Sequence, residues 1–193
     1  NAGPLEGVSI LNYLASHDDG SPWDRDRNDP LGAANRLLLA PGGAQIYYGD
    51  ELGRPLRIPG AEGDANLRSF MNWEDLERGG RTGEILRHWR TLGQFRRAHP
   101  AVGAGVHRTL QSGPYVFSRV LETGGPVDRV VVAVGLGRDA RVIPVAGVFA
   151  DGTELVDAYS GATGTVVHGA VGLPSGEDLV LLSERPRSGT RTP

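Results

Sequence analysis

The chain of 193 residues contains no cysteine, which excludes disulfide bridges and cysteine-ligated metal sites. It also contains no lysine, so arginine supplies all of its permanently charged basic side chains. No apolar run approaches the roughly 20 residues that a membrane-spanning helix needs. The formal net charge is −3, which offers neither a basic field for nucleic acid nor a polybasic anchor for a membrane surface. We therefore expect neither nucleic acid nor a membrane as a partner.

The most informative feature that is present is an apolar run over residues 5 to 15 that ends in His17 and Asp18. Such a run predicts a strand covered on both faces. Ionisable side chains at the end of a buried strand lie at one rim of a sheet or barrel, where α/β enzymes build their active sites. The alternative is that Asp18 begins a turn and His17 only follows the strand. The pair alone does not decide between these interpretations.

A strand–helix–strand pattern follows. Asp29 and Pro30 predict the start of a helix that continues to residue 40, and residues 44 to 48 predict the next strand, parallel to the first. This strand ends in Asp50 and Glu51, which either line a cleft or anchor the following loop. We favour the anchoring role for both, and we expect Tyr47 and Tyr48 to pack inside the protein rather than serve as stacking surfaces. The alternating charges of residues 24 to 27 predict a solvated loop.

Residues 49 to 81 lack sustained periodicity, and a loop of that length usually has a function. Residues 83 to 98 predict a helix with Thr82 as its cap and Trp89 in the core. From about residue 102 the composition changes to short alternating runs separated by turn signals, which predicts an antiparallel β-sandwich. The runs cover residues 115–121, 129–136, 140–145, 154–159, 165–171 and 178–183. Residues 185–193 are expected to be a disordered tail.

Three segments together resemble the α-amylase-type glycoside hydrolases, a retaining family built on a (β/α)8 barrel. Residues 13–18 (Tyr-Leu-Ala-Ser-His-Asp) resemble the motif that ends barrel strand 7, although Ser16 replaces the more usual asparagine. Residues 43–51 resemble the end of strand 8. Residues 67–73 (Leu-Arg-Ser-Phe-Met-Asn-Trp) resemble a run in the loop that follows, with Phe70 in place of the usual proline.

The resemblance implies an α/β region followed by an all-β region. Residues 1–101 would form the last part of a TIM barrel, with strands 7 and 8 and their helices, and residues 102–184 the antiparallel β-sandwich after the barrel. The chain starts with Asn1 and not with methionine, and we expect it to be a C-terminal fragment. Its first partner would be the missing N-terminal portion of the barrel.

The resemblance also implies a reaction, the hydrolysis of α-1,4-glucosidic bonds in starch or maltodextrin with retention. Asp18 would be the transition-state stabiliser and His17 would bind the sugar in the same subsite. Arg68 would bind sugar hydroxyls or an active-site carboxylate, or else would pair with Asp64 or Glu74 in a solvated loop. The nucleophile and the acid/base would lie upstream, so the fragment alone is expected to be inactive.

Two other functions stay open: a non-catalytic carbohydrate-binding or assembly module, and a transglycosylase or α-1,6-glucosidase of the same family. The β-rich half has few aromatic side chains for sugar stacking: Tyr115, Phe117, Phe149 and Tyr159. We expect no metal site and no cofactor in this chain, with calcium an option in the full-length enzyme. The segments look most similar to those of secreted or periplasmic bacterial α-amylases, which implies that location.

Overall fold

The computed structural model describes residues 8–186, apart from residues 124, 138, 140 and 175. The chain divides into two compact units, one ending at Arg96 and the other beginning at Arg97, close to the change in composition near residue 102. Most of the predicted disordered tail lies outside the described residues. Arg185, the first residue of that tail, donates its backbone N–H to the carbonyl of Glu154 at 3.0 Å.

The first unit contains the expected strand–helix–strand arrangement. It consists of β1 (Leu11–Asn12), α1 (Pro30–Leu38) and β2 (Gly43–Ala44). The two strands are parallel neighbours, with Leu11 opposite Gly43 and Asn12 opposite Ala44. They are much shorter than predicted, because each strand has one hydrogen-bonded neighbour among the described residues and the ladder does not extend. The part of the predicted first strand before residue 8 lies outside the described residues.

Local signals account for α1 and for its connection to β2. Asp29 caps the helix by accepting a hydrogen bond from the Gly32 N–H at 2.9 Å, and Pro30 occupies the first helical turn. After the helix, Gly42 adopts φ +91°, and a Cβ at this position would lie 2.5 Å from the Ile10 carbonyl oxygen. A glycine is therefore required where the chain enters β2 beside β1.

The region from residue 49 to 81, predicted to be a long loop, contains short helices. It has two 3₁₀ turns (Asp50–Leu52 and Gly63–Arg68) and α2 (Trp73–Arg78). The next helix, α3 (Arg81–Ala98), begins earlier than expected, so Thr82 lies within its first turn and is not the cap. Trp89 is buried as predicted, and its Nε1–H donates to the Pro30 carbonyl at 3.3 Å.

The second unit is antiparallel β structure, as predicted, preceded by the short helix α4 (Ala101–Ala104). Its strands are β3 (Val106–Ser112), β4 (Tyr115–Leu121), β5 (Asp128–Val134), β6 (Arg141–Pro144), β7 (Glu154–Asp157), β8 (Thr163–Val167), β9 (Ala170–Leu173) and β10 (Leu179–Glu184). The spatial order is β3-β4-β5-β10-β7-β8-β9-β6. Strand β3 was not predicted. The predicted run 165–171 is a hairpin, because His168 and Gly169 both take positive φ values and reverse the chain.

The expected two-sheet sandwich is instead one eight-stranded sheet that folds around a single core. Strand β8 makes this possible, since residues 163–165 pair with β7 and residues 166–167 pair with β9. Val116 of β4 and Ile143 of β6, from opposite halves of the strand order, share one buried cluster. No helix within the described residues is long and apolar enough to cross a membrane.

Candidate active site

His17 and Asp18 lie just beyond β1, and both side chains are well exposed, at 67% and 63%. The His17 Nε2 is 3.7 Å from an Asp18 carboxylate oxygen. The Ser16 hydroxyl donates to the other oxygen of Asp18 at 2.8 Å. Ser16, the residue that departs from the family motif, therefore contacts the carboxylate directly. The segment after β1 therefore presents the Asp18 carboxylate to solvent, with its position fixed by Ser16 and His17.

The surroundings of Asp18 favour its ionised form. The hydrogen bond from Ser16, and after it the charge of His17, hold the pKa of Asp18 below its ordinary value, and the Arg68 charge adds a smaller effect in the same direction. An ionised carboxylate can accept hydrogen bonds from two vicinal hydroxyls and can stabilise a positive charge. Both properties are needed for the role that the sequence predicts for Asp18.

Arg68 reaches the same tip from the segment that follows β2. Its Nε donates to the His17 carbonyl at 3.0 Å, and its Nη2 lies 3.9 Å from Asp64. The structure therefore brings the three predicted site residues together, with Arg68 on the backbone of the tip rather than on the Asp18 carboxylate. The alternative pairing with Asp64 is long, and Glu74 pairs instead with Arg78.

A buried arginine that the sequence did not reveal, Arg54, holds the Arg68 segment in place. Its guanidinium donates to the carbonyls of Tyr48 at 3.0 Å and Leu67 at 3.1 Å, and to the Ser69 hydroxyl at 2.5 Å. Gly49 adopts φ +88°, and a Cβ there would lie 2.5 Å from the Arg54 side chain. The glycine of this motif therefore leaves the space that Arg54 occupies.

The prediction that residues 24 to 27 form a solvated loop is wrong for Arg27, whose side chain is buried. Its guanidinium donates to Asp50 at 2.5 Å and to the Arg54 carbonyl at 2.8 Å, and both members of the ion pair are buried. Burial raises the pKa of Asp50, and the Arg27 charge opposes this shift. Glu51 accepts a hydrogen bond from the Gly49 N–H at 3.0 Å. The anchoring role favoured for Asp50 and Glu51 is confirmed, although Asp50 acts through Arg27.

Aromatic side chains differ in what they can offer a ligand. Tyr47 is buried as predicted, whereas Tyr48 is partly exposed and lies under the Arg54 guanidinium. Phe117 and Phe149 of the second unit are buried, which leaves them no sugar-stacking surface. Phe70, next to the Arg68 segment, is almost fully exposed. Within the part of the chain that the structure describes, no group of three or more His, Asp or Glu side chains is arranged to hold a metal ion.

Solved structures identify the fold. No family model matches the chain. A Thermus thermophilus protein shares the fold with a TM-score of 0.64 and 26% identity, over 90% of this chain and 35% of that protein. A debranching enzyme from Nostoc punctiforme gives a TM-score of 0.59 and 25% identity, again over 90% of this chain and 35% of that enzyme.

The fold resembles that of the α-amylase-type glycoside hydrolases, and the resemblance read from the sequence is confirmed at the level of this family. Among curated proteins, the periplasmic alpha-amylase of Escherichia coli K12 is 44% identical over 106 residues. The match covers 55% of this chain and 15% of that enzyme. The chain thus spans a minor part of the length of the proteins it resembles.

Proposed function

We propose that this chain is part of an α-amylase-type glycosidase that hydrolyses α-1,4-glucosidic bonds in starch or maltodextrin with retention. One observation carries the proposal: Arg68, from the segment after β2, donates to the carbonyl of His17, the residue next to Asp18 in the exposed segment after β1. Residues 8–96 then correspond to the end of the (β/α)8 barrel, with β1 and β2 as its seventh and eighth strands. The term "complete enzyme" is used below for a polypeptide that contains both this chain and the rest of that barrel.

In this proposal the chain supplies one of three catalytic carboxylates. Retaining hydrolysis needs a nucleophile and an acid/base roughly 5 Å apart, and both lie in the remainder of the barrel. Asp18 stabilises the transition state, because its hydrogen bonds to two sugar hydroxyls strengthen as the ring becomes positively charged. His17 donates or accepts one further hydrogen bond in the same subsite. Arg68 holds the His17 backbone in position and faces the substrate with its remaining donors.

The experiment compares this chain with the complete enzyme. The complete enzyme is expected to release reducing ends from starch and to form the α-anomer first, as seen by NMR. Asp18→Asn should lower kcat by about 100- to 1,000-fold, since one charged contact made in the transition state is lost. The 193-residue chain alone should show no hydrolysis. Robust hydrolysis of starch by the pure, monomeric chain would contradict the proposal.

A second candidate reaction, α-1,6 cleavage, is favoured by the similarity to the Nostoc punctiforme debranching enzyme. Pullulan distinguishes the two reactions, because an α-1,6-glucosidase cuts it to maltotriose whereas an α-1,4-specific enzyme does not. The name of the Escherichia coli relative supports a periplasmic or secreted location for the complete enzyme. Any calcium site of the complete enzyme would, in this proposal, lie in the part of the barrel outside this chain.

A further inference from the structure

Phe70 is the most exposed large apolar side chain among the described residues, with 97% of its surface accessible. Single exposed apolar residues are common on protein surfaces, so exposure alone indicates no function. Two further observations distinguish Phe70: its backbone is firmly anchored, and it lies beside the candidate active site.

The anchoring involves Ser69, the residue before Phe70. The Ser69 carbonyl accepts hydrogen bonds from the Tyr48 hydroxyl at 2.8 Å and from Arg54 at 3.3 Å. The Ser69 hydroxyl accepts a second hydrogen bond from the Arg54 guanidinium, which is itself buried. The Phe70 ring therefore projects from a fixed base. Binding of a ligand to this ring would therefore cost little conformational entropy of the protein backbone, which favours binding.

The location of Phe70 follows from Arg68, which precedes it by two positions and donates to the His17 carbonyl. Two residues of extended chain cover at most about 7 Å, so the Phe70 backbone is close to that of Arg68, whose side chain contacts the segment with Asp18. The groups that Arg68 contacts, the His17 carbonyl and the Asp64 carboxylate, are polar or charged. One aromatic ring among hydrogen-bonding groups suits a sugar, which has an apolar ring face and a border of hydroxyls.

We infer that Phe70 stacks against a glucose unit of the bound α-glucan, outside the subsite of Asp18, and so gives the enzyme its preference for longer chains. This inference rests on the proposed function. The Phe70 ring contacts a glucose unit that is present beside it only when the bound oligosaccharide is long enough to extend beyond the subsite of Asp18. Its contribution depends on the length of the substrate and not on the bond that is cut.

The test uses the complete enzyme with maltotriose and maltoheptaose. Phe70→Ala should lower kcat/KM for maltoheptaose about tenfold, the effect of truncating one aromatic contact residue, and should leave maltotriose unchanged. Phe70→Tyr and Phe70→Trp should retain the parent value, because both keep an aromatic face. The matched control is Val142→Ala, which truncates an exposed apolar side chain in β6 and should change neither substrate.

Three results would overturn the inference. An equal change for both oligosaccharides would show that Phe70 does not contact a distant unit. A lower melting temperature of Phe70→Ala would show that the ring packs against another part of the polypeptide. If the parent enzyme hydrolyses neither oligosaccharide, the proposed function itself fails. An active parent with an unaffected Phe70→Ala variant rejects only the stacking role.

Discussion

Arg27 and Asp50 form an ion pair in which Nη2 lies 2.5 Å from Oδ1, with 7% and 0% of their side chains exposed. The two residues belong to different loops, one after β1 and one after β2. The same Arg27 guanidinium also binds the Arg54 carbonyl, and Arg54 in turn holds the backbone at Ser69. The buried pair therefore ties together the two loops that carry the candidate catalytic residues.

Removing one member of this pair should be costly. Asp50→Ala leaves Arg27 buried without a counter-charge and should lower the unfolding free energy of the complete enzyme by about 3 to 5 kcal/mol. The double variant Arg27→Met/Asp50→Leu should recover a large part of the loss, because no uncompensated charge remains. Denaturant unfolding of the parent, of Asp50→Ala and of the double variant measures both effects.

The exposed ion pair of Arg78 and Glu74 provides a matched comparison. Glu74→Ala should change the unfolding free energy by less than about 1 kcal/mol, because exposed pairs contribute little. If Asp50→Ala were as mild as Glu74→Ala, the pair would not join the two loops as described.

The local elements could be predicted from the sequence because their signals are local. The cap at Asp29 and the bounds of β4 each depend on residues that are neighbours in the chain, and both predictions are confirmed, although residues 116–119 are all buried and do not alternate. The signal for the β8–β9 turn was also present, since Gly169 lies inside the run interpreted as one strand. A positive φ at the preceding His168 is not visible in a hydrophobic pattern.

The contacts that hold the site could not be predicted in this way. Arg27 and Asp50 are far apart in the chain, and an arginine in an alternating charge run looks the same whether it is solvated or buried. The extent of β1 and β2 was overestimated for a related reason. An apolar run indicates that a segment will be covered, but the length of a strand depends on which neighbours pair with it.

The pH dependence of activity should reveal the role of Ser16. Its hydrogen bond favours the ionised form of Asp18 and helps to hold that pKa low. Ser16→Ala removes this bond, so the pKa of Asp18 rises and a smaller fraction is ionised at mildly acidic pH. The acidic limb of the kcat/KM profile of the complete enzyme should therefore move to higher pH, with the alkaline limb unchanged.

The conservative variant Ser16→Thr keeps the hydroxyl and should retain the acidic limb of the parent. A shift of equal size in both variants would mean that the change at residue 16 acts through the backbone. An unchanged profile in Ser16→Ala would show that Asp18 does not control the acidic limb.

The two units should differ in their ability to fold alone. The first has, among its described residues, one parallel pair of two-residue strands. The second has thirteen buried residues in one cluster and eight paired strands. We expect residues 97–186 to unfold cooperatively as a monomer and residues 1–100 to associate or remain unfolded. Circular dichroism and light scattering measure this, and a cooperative monomer of residues 1–100 would contradict it.

Asp157 should contribute most of the polar stability of the second unit. It is buried, and its carboxylate accepts hydrogen bonds from the backbone N–H groups of Leu181 at 2.8 Å and Tyr159 at 3.0 Å. Asp157→Ala leaves these donors without a partner and should lower the unfolding free energy of residues 97–186 by about 3 kcal/mol.

Asp151 provides the comparison for this prediction, because it also accepts backbone N–H groups, from His168 and Gly169, each at 2.9 Å, whereas Asp157 accepts a third from Ser160 at 3.2 Å. Its turn is exposed, so water can replace the carboxylate in Asp151→Ala, and a much smaller loss than in Asp157→Ala is expected. Chemical denaturation of both variants measures the difference. Equal losses in the two variants would show that burial of the donors does not set the cost of removing the carboxylate.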